Sequence, residues 1–355
     1  MSDETMFPWQ SLLAPLAIEV TEAGRLRAPE TADWPRDARC AADEGADHTA
    51  PLDGFGVIQA TGEDATEFLQ NQLTNDVRAV DAEHAQLQAW LNPKGRTLTT
   101  FWLLAHGDGY WLIMPRERIP ATLKRLTMFV LHSQVTLTDR SDELAVLATA
   151  GPGAARRLAG WLGTAAPGAP WGSHVDGDRA VLALPEPAGF VAIAPEAELA
   201  AAWHALAAEA TPALETHWYL GPVRAGLPIV TEATSEAFVP QMLNWERIDG
   251  VSFKKGCYPG QEVVARMHYR GTPKRRTARY RVAGACPVPG SELHRDDKEA
   301  AAGQVVNSAP LPDGDSEVLA VVMTEVLDGR VGVRTPEGHT LTPLALPYTL
   351  DDPEA

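Results

Sequence analysis

From residue 55 onward, apolar runs short enough for strands alternate with apolar positions spaced for helices. Phe55-Gly-Val-Ile-Gln59 reads as a strand. Thr61 follows as an N-cap, with Glu63 and Asp64 in the first turn of a helix whose Ala65, Phe68, Leu69 and Leu73 share one face. Strands are predicted over 85–91 and 96–104, joined through Asn92-Pro93-Lys94-Gly95, and over 110–114 after the turn His106-Gly107-Asp108-Gly109. The next helix places Ile119, Leu123, Leu126 and Val130 on one stripe, with Pro120 tolerated in its first turn. A second run has the same grammar. It has a strand over 144–150 and a helix carrying Leu158, Trp161 and Leu162. Strands over 179–184 and 190–194 then precede a helix with Leu199, Trp203 and Leu206. Two such runs predict a duplicated α+β body.

Beyond Pro273 the helical spacing disappears. Short strands over 277–282, 301–306, 317–324 and 330–334, separated by Gly, Pro and Asp turns, predict a small antiparallel barrel. Ahead of the body, residues 28–53 are rich in Ala, Pro, Asp and Glu without a period, which predicts an irregular surface arm. The expected organisation is an arm over 1–51, a body over 52–272 subdivided near 141, and a barrel over 273–355.

Composition adds limits. With 355 residues, 45% of them apolar and 22% charged, the chain is globular and exceeds what one core serves. No apolar run approaches the roughly 18 residues of a membrane span. The start, Met-Ser-Asp-Glu-Thr-Met-Phe, lacks the basic residues and apolar block of a secretory signal, which predicts a cytoplasmic protein. Cys40, Cys257 and Cys286 are odd in number and far apart, which argues against a disulfide framework, a four-ligand zinc site or a self-contained iron–sulfur site.

Charge singles out one segment. The chain carries a net −17, yet residues 254–279 hold eight Lys/Arg against one acid, Glu262. Such a local reversal is costly in self-repulsion unless an anion is met there, while the overall charge disfavours duplex nucleic acid as the main partner. Inside the segment Cys257 sits after Lys254 and Lys255 and just ahead of a short helix-like run, 261–267. Cationic neighbours and a helix N-terminus both favour a thiolate, although most free cysteines are buried and inert. Glu262 and Arg266 have the spacing of a helix-surface ion pair, or of a brace for the cysteine loop. Lys274-Arg275-Arg276 reads as a solvated run at a domain joint. Phosphate-loop, nucleophile-elbow and dinucleotide motifs are absent from the sequence, and Gly54-Phe55-Gly56 lacks the third glycine. Phe55 and Trp218 suit either a core or the faces of a flat bicyclic ligand.

Lys255-Gly-Cys-Tyr-Pro-Gly-Gln-Glu262 resembles the signature of the YgfZ-type folate-binding proteins, relatives of the glycine-cleavage T protein (aminomethyltransferase). Further landmarks are Phe68-Leu-Gln-Asn-Gln-Leu-Thr-Asn-Asp-Val77, Pro93-Lys-Gly-Arg96, Phe238-Val-Pro-Gln-Met-Leu-Asn244, Val263-Val-Ala-Arg266, Tyr269-Arg-Gly271 and Leu346-Pro-Tyr-Thr-Leu350. The resemblance implies a T-protein-like α+β body of ferredoxin-like halves with a C-terminal antiparallel β-barrel. It also implies tetrahydrofolate as cofactor, lying between Phe55 and Trp218, with Arg224 where relatives have a pterin-binding glutamate. Arginine is donor-only and suits the anionic glutamate tail instead. Cys257 would be the reactive or cluster-contacting thiol, Lys255 its source of positive potential, and Gln261, Glu262 and Arg266 would orient the loop. No resident metal is implied. The family role is that of an accessory protein for assembly or repair of iron–sulfur enzymes, with radical tRNA-modifying enzymes as partners and a weak contact to tRNA. The alternatives are a folate-dependent aminomethyl or one-carbon transferase, and a tRNA-binding module. Aminomethyltransferases carry an aspartate in the strand after the Gly95 turn, whereas Arg96-Thr-Leu-Thr-Thr-Phe-Trp102 has no acid, so the fold is expected without glycine-cleavage activity.

Overall fold

The computed structural model describes residues 19–20, 26–27, 42–43, 45–168, 170–207, 209–297 and 300–350. Two antiparallel sheets carry the body. In the first the strand order is Gln86–Leu91, Thr97–His106, Gly109–Pro115, Phe55–Thr61 and Thr136–Asp139. In the second it is Ser173–Asp176, Arg179–Ala183, Phe190–Pro195, Leu144–Ala150, His48–Pro51 and Thr211–Pro212, the last pair running parallel.

Side chains alternate across each strand, and both faces of each sheet are apolar, so each sheet is buried on two sides. From the first sheet Val57, Leu87, Trp102, Leu104, Trp111 and Ile113 point inward; from the second Leu144, Val146, Ala148, Leu182, Val191 and Ile193 do so. These residues meet in one core between the sheets. The opposite face of the first sheet, with Ile58, Phe101, Leu103 and Leu112, is covered by the Ala65–Gln70 and Ile119–Val130 helices. Leu147, Val181 and Ala192 of the second sheet are covered by Ala154–Leu162 and Glu196–Ala207. The two runs therefore give two helix-backed sheets joined front to front.

The barrel is closed in the order Arg275–Val282, Ser316–Met323, Ala301–Pro310, Glu292–Arg295, Val333–Arg334 and Thr340–Leu344, whose last strand returns to pair with the first. Glu292–Arg295 and Thr340–Leu344 were not among the predicted strands; each is only four or five residues long and is flanked by polar turn residues. No helix among the described residues is long and apolar enough to cross a membrane.

Two expectations are corrected. The irregular arm does not extend to residue 51: His48–Pro51 is a buried strand between Leu144–Ala150 and Thr211–Pro212. Its period is masked because all four residues are buried, and the chain thus begins the second sheet before it enters the first. Thr61 is the last strand residue and not a cap; the helix starts at Ala65 after Asp64, whose carboxylate instead accepts the Gln134 N–H at 2.7 Å. Cys40 lies outside the described residues.

Candidate functional site

Three segments converge beneath the cysteine turn. Lys255 is half-buried, and its ammonium donates to the carbonyls of Gln70, Leu73 and Asn75 at 2.6, 2.5 and 2.9 Å. Three acceptors are the full complement an ammonium can use. Burial nevertheless pulls its pKa down to about 8, and the Nζ also lies 5.2 Å from the centre of the Tyr258 ring. Lys255 is thus a clasp that fastens the turn to the 70–75 segment. Gln70 and Thr74 complete that segment. The Gln70 amide donates to Asp76 and its carbonyl accepts from Val77, while Thr74 donates to the Gly250 carbonyl and accepts the Ala89 N–H.

The second fastening is made of backbone. Asn92 Oδ1 accepts from the N–H groups of Lys94 and Arg96, closing the tight turn that carries Gly95. Gly95 and Gly260 both have positive φ, 72° and 81°, and they lie against each other. A Cβ on Gly260 would come within 2.5 Å of the Asn92 carbonyl oxygen, and one on Gly95 within 2.7 Å of Val263. Only glycines permit this approach. Gly260 then caps the Gln261–Arg270 helix, whose Val264 is buried and accepts from the Gln241 amide at 2.7 Å.

Between these two anchors Gly256 and Cys257 are exposed. The backbone on either side is fixed while the thiol faces solvent, ahead of a helix N-terminus that favours negative charge. Gln261 is half-buried. Glu262 and Arg266 are exposed and, among the described residues, form no ion pair with each other. Orientation of the turn therefore comes from Lys255, Asn92, Gly95 and Gly260. The sequence marked the turn through Asn92-Pro93-Lys94-Gly95 but not a site role for Asn92, although its Asx turn before Pro-Lys-Gly is readable from residue types.

The positive segment divides in two. Arg276 is buried and pairs with Glu246; Arg279 turns toward Glu317 at 3.7 Å. Lys254, Arg266, Arg270, Lys274 and Arg275 are exposed, and none of them pairs with a carboxylate among the described residues. The expected solvated triplet is thus corrected at Arg276, which the barrel's first strand turns inward.

The expected cofactor position is also corrected. Phe55 stacks on Trp102 with centroids 5.3 Å apart and meets Trp218 edge-on at 5.6 Å, leaving no slot for a ring between them. Phe55 and Trp218 are 4% and 1% exposed, members of the central core. Arg224 gives Nε and Nη2 to Glu317 at 3.1 and 2.9 Å and Nη1 to the Ala42 carbonyl, so it locks body to barrel. The residues carried over for tetrahydrofolate do not fit it as a sandwich. Thr100, in the strand without an acid, accepts the Val230 N–H at 2.9 Å. Open volume lies in front of this core, in a cleft of about 1140 Å³ between body and barrel that includes Gly54, Glu215, Tyr219, Glu232, Asn307 and Leu311. His217 also faces the cleft; burial, with a smaller push from His48, holds its pKa down at about 4.

Comparison with known proteins agrees with this architecture. Residues 50–179 match the GCVT N-terminal domain. The tRNA-modifying protein YgfZ of Sodalis glossinidius is 32% identical over 85% of this chain and 93% of its own length. The protein of the same name from Photorhabdus laumondii is 31% identical over 85% and 92%. The glycine cleavage system aminomethyltransferase T of Bartonella henselae, at 16% identity, superposes with a TM-score of 0.77 over 96% of each chain, which establishes the shared fold. The chain belongs to the YgfZ family.

Proposed function

We propose that this member of the YgfZ family acts in tRNA modification as an accessory protein for iron–sulfur enzymes, through the thiol of Cys257. The observation that carries it is the contrast between an exposed Cys257 and the immobilised backbone on both sides, clasped by Lys255 and wedged at Gly260. A structural cysteine would be buried; this one is displayed at fixed geometry. One thiolate cannot hold a cluster, so the remaining ligands belong to the client enzyme, for which assembly or repair is the assigned task. Tetrahydrofolate is retained as a ligand of the body–barrel cleft, in front of Phe55 and Trp218, where Tyr219 offers a ring and Glu232 a carboxylate. Its volume is ample for a ligand of that class.

The test is complementation of a strain lacking the protein, scored by tRNA thiolation and by iron–sulfur enzyme activity. Cys257→Ser should accumulate normally and fail to restore either. Lys255→Met should accumulate less and fail as well. Full restoration by Cys257→Ser would sink the thiol role.

A further inference from the structure

The 253–275 segment combines two features that the thiol role does not use. The Phe253 ring, packed against the central core, carries the His268 ring stacked on it at 3.7 Å and 11°. Tyr269 meets both edge-on, at 6.3 Å from Phe253 and 4.7 Å from His268, and is 69% exposed. The result is a ledge of three rings, anchored at one end and bare at the other. Next to these rings in the chain come Lys254, adjoining Phe253, Arg266 and Arg270 on the Gln261–Arg270 helix that bears His268 and Tyr269, and Lys274 and Arg275 a few residues beyond its end. All five are exposed and without a carboxylate partner among the described residues, and Glu262 is the one acid in 254–279.

We propose that this ledge binds single-stranded RNA, with an unstacked base on Tyr269 and His268 and the adjoining phosphates on Arg266, Arg270, Lys274 and Arg275. Rings interleaved with unpaired cations are the chemistry of sequence-tolerant single-strand binding, because every base offers a π-face and every nucleotide a phosphate. A duplex fits less well. Its bases are not free to stack, and the Gln261–Arg270 helix spans only about 15 Å at 1.5 Å per residue, after which the strongly acidic remainder of the surface would face the second strand. An acidic protein segment would use the cations and leave the rings idle. The proposal rests on the tRNA-related reading above, and it assigns the substrate contact to a surface separate from Cys257.

The test uses the full chain and fluorescence anisotropy with three labelled probes: an in vitro transcribed tRNA, a 12-nucleotide uridine strand and a 12-base-pair RNA duplex. The tRNA and the single strand should bind more tightly than the duplex. Affinity should fall with salt by about 0.7 log unit per log unit for each phosphate held. Tyr269→Ala should weaken single-strand binding about tenfold, the weight of one stacked base, and leave the salt slope unchanged. Arg266→Ala with Arg270→Ala should flatten the slope. Circular dichroism on each variant checks that the helix persists. Equal affinity for the duplex, or indifference to Tyr269→Ala in the folded variant, overturns the proposal. So does absence of RNA binding at low salt, including the case where the arginines prove to bind an acidic partner enzyme. Cys257→Ser should bind RNA like the wild type, so loss of the thiol role and loss of RNA binding are read separately.

Discussion

The aromatic centre of the body and the 253–275 segment are both rich in rings, and they use them oppositely. Phe55, Trp102 and Trp218 close on one another between two sheets. Phe253, His268 and Tyr269 also stack, but at a surface among cations that face solvent. Arginines follow the same division. Arg224, Arg276 and Arg279 turn inward to Glu317 and Glu246, while Arg266, Arg270 and Arg275 stay exposed. A residue type alone does not mark a ligand contact; the room left around it does.

The sharpest way to break this comparison is Trp218→Ala. If Trp218 is core, it should destabilise the protein by about 4 kcal/mol in denaturant unfolding. A ligand shelf would lose little stability and much affinity. The next effect is on pH. Burial holds the folded pKa of His217 down at about 4, below the ordinary histidine value of about 6.5, so the unfolded chain binds the proton first. Its contribution is complete above pH 6.5 and is lost as pH falls toward 4, about 3 kcal/mol in all. His217→Gln should flatten that window in urea midpoints measured against pH. Glu317→Gln should cost about 2 kcal/mol, because Arg224 and Arg279 lose a charged acceptor. Faster hydrogen exchange along Arg275–Val282 would show the body–barrel joint loosening. The smallest effect belongs to the exposed region: Cys257→Ser should shift stability by less than about 0.5 kcal/mol, as substitutions away from packed features do. A large loss there would mean that the thiol is structural after all.

Much of the scaffold was readable from period and turn chemistry. Ile119–Val130 forms as a helix over the span that its apolar stripe marks, and Leu144–Ala150 and Phe190–Pro195 form where apolar runs predict strands. His48–Pro51 escaped because a strand buried on both faces has no alternation to read, and its flanks look like a linker. At the site, Cys257 and its basic setting were visible in sequence. The clasp was not, since the three carbonyls that hold Lys255 belong to residues some 180 positions earlier. Nor was the ring ledge, although Tyr269 between Arg266 and Arg270 gave a signal that charge counting alone passed over.

By itself the sequence determined the family, a duplicated α+β body with a barrel, and the one segment where charge reverses around a cysteine. Each of these is a local property: signature motifs for the family, spacing and turn residues for the body and barrel, and charge counted along a window for the segment. Tertiary structure alone decided which cations remain free, which aromatics have room beside them, and what fixes the Cys257 turn. Those depend on partners distant in the chain. Burial and pairing are set by what the fold brings within a few ångströms, and residue type says nothing about distance.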